Sequence, residues 1–240
     1  MNENLQHVQL PNSMTKNSDL TPKDLLIYVS IKRHMNKDTK EAFPSQDTIC
    51  KHASTTKPTV KKCIEKLVSL GYITIRKQGR QHVYKFNSHK NFEPFSYDFL
   101  DKEDVSFTTK AHILATQQYM FKDVDSMGKL TYNDFQLSQL INSSPQTVAR
   151  CNKELEDKGY LSVVATKAKD SDTGLKVNEK IFHLDALGQA IVFTLQQHEE
   201  RLNRVDSKIE ILEKQIQILL KENSDLKQSE NSFNLDLEVI

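Results

Sequence analysis

The sequence predicts a mainly α chain with small β-wings, built as one domain repeated twice and followed by a long C-terminal helix. Three observations predict it. A shift of 88 residues brings the chain into register with itself: Thr21 falls on Thr109, Thr59-Val60 on Thr147-Val148, Cys63 on Cys151, Leu67 on Leu155 and Gly71-Tyr72 on Gly159-Tyr160. The matches are core-type and helix-boundary residues, and two copies are too few for a solenoid, so the repeat is a duplicated domain. Within each copy the apolar period is first helical and then switches to two. Beyond the second copy, a heptad pattern takes over.

The first copy occupies residues 20–90. Thr21 is placed as N-cap, Pro22 at the first helical position and Asp24 three residues after the cap, which starts a helix with Leu25, Leu26, Tyr28 and Ile31 as its buried stripe. Ser45 to Ala53 reads as a short second helix, and Ser54-Thr55-Thr56 as a turn. Lys57 to Leu70 is a third helix, with Val60, Ile64 and Leu67 facing inward and Gly71 as a left-handed cap. Tyr72 to Phe86 then alternates as a hairpin turning at Gln78-Gly79.

Helix, helix, turn, helix, hairpin is the order of a winged helix-turn-helix. The second copy, residues 106–185, repeats it with helices near 108–121, 132–141 and 145–158 and a longer wing over 161–184. Residues 91–105 form a linker whose Phe92, Phe95, Tyr97 and Phe99 are expected to pack one domain on the other rather than to stack on bases. Residues 1–19 are expected to be a flexible arm.

The stretch from Phe43 to Ile73, FPSQDTICKHASTTKPTVKKCIEKLVSLGYI, resembles the winged helix-turn-helix domains of bacterial, phage and plasmid regulators. It is most similar to the subgroup at the N-terminus of replication initiators and replisome organisers. The resemblance implies the fold and double-stranded DNA as a partner; regulators and initiators share it.

Charge separates the copies. From Ser45 to Lys90 ten basic residues face two acidic ones, a net of +8; from Asn133 to Asp185 seven face eight, a net of −1. DNA affinity rests largely on neutralising phosphates, so the first copy is expected to bind DNA. Lys57, Thr59, Lys61 and Lys62, with Lys66 further along, are placed on the exposed face of the third helix, where side chains reach base edges. Thr55 and Thr56 can offer hydroxyl and N–H groups to a phosphate. Arg76, Lys77 and Arg80 surround the wing turn and suit phosphate or the minor groove. In the second copy Gln146, Thr147, Arg150 and Lys153 hold the matching positions, but Glu154, Glu156 and Asp157 crowd the same helix. Base reading and a protein-contact role both remain open for it.

Residues 186–228 read as a parallel dimeric coiled coil. Leu195, Leu202, Ile209, Ile216 and Asn223 fall at a; Ile191, Val205, Leu212, Leu219 and Leu226 fall at d, with His198 the polar exception. Ile at a with Leu at d favours two strands, and a single Asn at a fixes register. Across such a dimer Lys208 meets Glu213, Arg201 meets Asp206 and Glu222 meets Lys227, each pair opposite in sign. The last segment, 229–240, alternates acidic and apolar residues and is a candidate docking tail for a protein partner, or simply a frayed end.

The N-terminus is polar and no apolar run nears the length of a membrane span, so a cytoplasmic protein is expected. Three scattered cysteines, Cys50, Cys63 and Cys151, suit a reducing compartment rather than a disulfide framework. The sequence contains no Walker loop, GxGxxG, HExxH, GxSxG or paired-cysteine pattern, so neither enzyme activity nor a cofactor or metal is expected. The expected function is a dimeric, sequence-specific transcriptional regulator. The alternatives are a plasmid or phage replication initiator binding origin repeats, and a segregation or scaffold adaptor.

Overall fold

The structure, a computed structural model, describes residues 7–79, 81–88, 91–120, 128–188, 202, 204–221 and 223. The chain divides into two units, Met1–Phe193 and Thr194–Ile240. It is mixed helix and sheet rather than mainly helical.

The first half of unit one runs β1 (His7–Pro11), α1 (Asn12–Thr15), α2 (Pro22–Lys32), β2 (Glu41–Ala42), α3 (Gln46–Ala53), α4 (Lys57–Ser69), β3 (Ile73–Gln78) and β4 (Gln81–Phe86). The connecting stretch forms β5 (Phe92–Ser96) and α5 (Tyr97–Asp101). The second half runs α6 (Phe107–Met120), β6 (Lys129–Leu130), α7 (Asp134–Leu140), α8 (Pro145–Asp157), β7 (Leu161–Val164) and β8 (Glu179–Phe182). Each half closes on a three-stranded antiparallel sheet of the same plan, β2-β4-β3 and β6-β8-β7.

Local chemistry explains the boundaries. The Asp24 carboxylate accepts from both the backbone N–H and the hydroxyl of Thr21, at 2.8 and 2.7 Å, which closes the start of α2. Ser45 caps α3 through the Thr48 N–H, and Ser144 caps α8 through the Thr147 N–H. α4 and α8 both stop one residue short of a glycine with φ near +75°, Gly71 and Gly159, so the chain leaves each helix through the left-handed region.

The expected one-sided stripe on α2 is corrected by its surroundings. Asp24 to Ile31 are all buried, and so are Thr109 to Gln117 of α6, because the two helices pack on each other at the centre of the unit. A helix covered on one side by its own half and on the other by its pseudo-repeat has no solvent face left.

The N-terminal segment is likewise not a flexible arm over its described part. β1 pairs antiparallel with β5, from His7 opposite Ser96 to Pro11 opposite Phe92. Val8, Leu10 and Met14 are buried with Phe95 and Phe99 in the shared core. The connecting stretch therefore belongs to the core instead of acting as a linker. At ~1.5–3 kcal/mol per fully buried large apolar side chain, these five supply a substantial share of what joins the halves. Polar ties add to them: Arg33 forks onto Asp101 at 2.6 and 2.9 Å, and Gln117 donates to the Pro94 carbonyl.

The expected helix does not begin at residue 186. Residues 184–188 are a turn; Leu187 is buried, and at Gly188 (φ +73°) a Cβ would meet the Asp98 Cβ at 3.1 Å. In unit two, residues 204–221 are helical, and Val205, Ile209, Leu212, Ile216 and Leu219 lie 46–62% exposed in a stripe with Leu202. Among the described residues no helix is long and apolar enough to cross a membrane.

Candidate nucleic-acid interface

α3 and α4 are joined by a tight turn made possible by Ser54, whose φ of +49° lets the Thr55 N–H reach the Cys50 carbonyl at 3.0 Å. That bond occupies the Thr55 N–H, so of the two groups expected to meet a phosphate Thr55 keeps only its hydroxyl. The Thr56 hydroxyl is paired with that of Thr59 at 3.1 Å on the first turn of α4. Val60, Cys63, Ile64 and Leu67 are buried against α2 and α3, which turns Lys57, Lys61 and Lys62 outward.

The outward cations are partly engaged. Lys57 pairs with Asp47 of α3 at 2.7 Å, Lys61 with Glu65 at 3.9 Å, and Arg76 with Glu41 at 3.0 Å. Lys57, Lys61 and Arg76 are 58, 71 and 55% exposed, so solvent screens each pair and it contributes little. A phosphate can displace such carboxylates at small cost. Lys62 and Lys77 are exposed and make no ion pair among the described residues.

Lys66 does not join this face. Its ammonium reaches inward to the buried Asp24 carboxylate at 3.1 Å. Burial works to raise the Asp24 carboxyl, but hydrogen bonds from Thr21, Cys63 and Lys66 outweigh it and hold it below its ordinary value. The helical spacing from Lys62 to Lys66 suggested one face; the buried acid one helix away decides otherwise.

The second half places Gln146, Arg150 and Lys153 on the exposed side of α8, with Thr147 half-buried and its amide taken by the Ser144 cap. Thr147 and Arg150 line a cleft of about 210 Å³ with Thr21, Pro22, Lys23 and Thr108, so this part of α8 faces the junction of the two halves. The repeat exchanges the inner charges: at the positions of Asp24 and Lys66 stand His112 and Glu154. Glu154 is anchored by the Ser106 hydroxyl and N–H and the Thr109 hydroxyl at 2.6, 2.8 and 2.6 Å. Burial raises its carboxyl, but these donors prevail and draw it to about 2. His112 is fully buried; desolvation pushes it down to about 4, and its Nε2 lies 3.1 Å from the Asn152 Oδ1.

Asn152 donates to Asp134 at 2.9 Å, and the buried Lys180 ammonium reaches Asp134 at 3.1 Å and the Tyr132 carbonyl at 2.7 Å. This network fixes the base of the second hairpin to α7 and α8. Three exposed lysines of that hairpin, Lys167, Lys169 and Lys176, were submerged in the second half's net of −1 and were not singled out by sequence reasoning. The only sequence signal was the Lys-Ala-Lys alternation at 167–169.

Arg80 of the expected wing face lies outside the described residues, as do Ile191, Leu195 and Leu226 of the expected dimer seam. Among the described residues no group of three or more His, Cys, Asp and Glu side chains could hold a metal ion.

Residues 18–73 match the family model of a helix-turn-helix domain. The match spans α2, α3 and α4, and so takes in the lysine-bearing face of α4. A helix-turn-helix supports DNA binding by this part of the chain. No curated protein matches the chain.

Proposed function

We propose that the chain is a sequence-specific, duplex-DNA-binding regulator of transcription. The observation that carries this is the lysine face of α4, Lys57, Lys61 and Lys62, presented by a matched helix-turn-helix over a buried anchor. α4 supplies base contacts with Thr59, while Arg76 and Lys77 on the adjoining hairpin contact phosphate. The second half shares the element order and sheet order of the first, which supports reading it as a second module of the same class.

The exposed stripe of residues 202–219 pairs with the same stripe of a second chain as a parallel coiled coil. Asn223 sits in register and Lys208 opposes Glu213 across the seam. A dimer of this kind expects a repeated half-site, inverted where the two-fold extends to the first halves.

Genome-wide occupancy in the native cell, followed by footprinting of the strongest site, tests the reading. Protection of one inverted repeat over a promoter supports a regulator. Protection of an array of repeats over an origin replaces it with a replication initiator.

A further inference from the structure

We infer that the second half grips DNA through its hairpin arm, residues 165–178, as a backbone clamp that adds affinity without reading sequence. This rests on the DNA-binding reading above and assigns a separate surface within it. Lys169 and Lys176 are partners in an antiparallel bridge, so their side chains leave the same face of the arm directly opposite each other. Like charges in that position repel, and an anion lying across them relieves the repulsion. Lys167 stands two residues before Lys169, also exposed. None of the three makes an ion pair among the described residues, in contrast to Lys57, Lys61 and Arg76.

The arm's two acids, Asp170 and Asp172, are hydrogen-bonded within its own turn and to α7 and make no ion pair with its lysines among the described residues. The Asp170 carboxylate accepts from the Thr173 N–H and hydroxyl at 2.7 and 2.6 Å and from the Gln136 amide of α7. Asp172 accepts from the Ser171 hydroxyl at 3.1 Å. The same contacts order the arm. Val177 donates to the Ala168 carbonyl and Asp170 to that of Leu175 at 3.0 and 2.9 Å, and the Thr166 hydroxyl donates to the Val177 carbonyl. The arm is thus an ordered two-stranded finger, tied to α7 at Asp170, whose three lysines outnumber its two aspartates. α8 beside it carries exposed Glu156 and Asp157, which line a cleft with Lys176 and which a phosphate avoids. The chemistry that fits the finger is a row of phosphates; the chemistry that reads bases stays on α4.

The test is a full-length Lys167→Ala, Lys169→Ala, Lys176→Ala variant, compared with wild type by fluorescence anisotropy over a salt series. Two duplexes are used: one selected by the wild-type protein from a random pool, and its scrambled counterpart. We expect the slope of log K against log salt to fall by about 2–3 on both duplexes, at ~0.9 per lost phosphate contact, with the preference between them unchanged within twofold. The matching triple arginine variant should restore the slope. A wild-type slope in a folded alanine variant overturns the inference and leaves the DNA-binding reading standing; so does a slope loss confined to the selected duplex. Failure of the wild-type protein to bind either duplex overturns both.

Discussion

Replacing Lys61 and Lys62 together by alanine isolates the phosphate grip of α4. Both side chains are exposed, Lys61 at 71% with a long 3.9 Å pair to Glu65, and neither packs in the core, so folding should not change. Each lysine that neutralises one phosphate contributes ~0.9 to the salt exponent, so losing both lowers the slope by about 1.8. At 0.1 M salt that exponent corresponds to roughly 60-fold weaker binding, or about 2.4 kcal/mol. Removing Lys61 also frees Glu65, whose negative charge then faces the DNA, so the loss should not be smaller than this. The assay is anisotropy on the footprinted site between 50 and 300 mM salt, as is usual for counterion analysis. An unchanged slope in a protein with wild-type melting behaviour would show that α4 does not meet the duplex and would remove the first half from the reader role.

Lys66→Met should act in the opposite way: salt slope unchanged, and stability in urea reduced by ~1–3 kcal/mol, because the buried Asp24 loses its ammonium while keeping the Thr21 donors. His112 should make the second half acid-labile. Its folded value near 4 lies below the unfolded value of about 6.5, so the unfolded chain binds the extra proton. Its contribution is complete above pH 6.5 and is lost as pH falls towards 4, roughly 3 kcal/mol in all. His112→Gln should flatten the stability profile between pH 6.5 and 4, and an identical slope in that window would refute the assignment. Removing residues 203–240 should leave a monomer by light scattering; a persisting dimer would place the interface in unit one. Phe95→Ala should cost ~3–5 kcal/mol, read by thermal melting, since the ring is fully buried in the core beneath β1.

Much of the fold was legible because the repeat supplied its own control. Thr21, Ser45, Ser144, Gly71 and Gly159 mark helix ends by local chemistry, and local chemistry is what a single sequence carries best. The burial of α2 and α6 on all sides was not legible, because it depends on which surface meets which across a separation of some eighty residues. The pairing of β1 with β5 failed to show for the same reason: five residues at the N-terminus with little alternation read as an arm until their partner strand is present. For the candidate site, outward placement of Lys57, Lys61 and Lys62 followed from the positions of Val60 and Ile64. The inward reach of Lys66 did not, because a helical wheel cannot locate a buried carboxylate on another element.

On the proposed function, the charge difference between the halves follows from what each must satisfy. A reader must place its side chains against particular base edges, so its position along the duplex is fixed to within a base pair. With α2 packed on α6, a second reader would have to meet its own bases at a spacing the protein sets, and every sequence change in either half-site would penalise both. A phosphate contact carries no such demand, since the backbone repeats at every base pair. On the proposed reading the second half can place Glu154 inside, on Ser106 and Thr109, and leave Glu156 and Asp157 on α8, losing sequence reading while its arm keeps a phosphate grip. An ordered arm tied at Asp170 and bearing Lys167, Lys169 and Lys176 does this. A net of −1 over the half is then compatible with a locally positive arm, because Lys167, Lys169 and Lys176 outnumber Asp170 and Asp172 there.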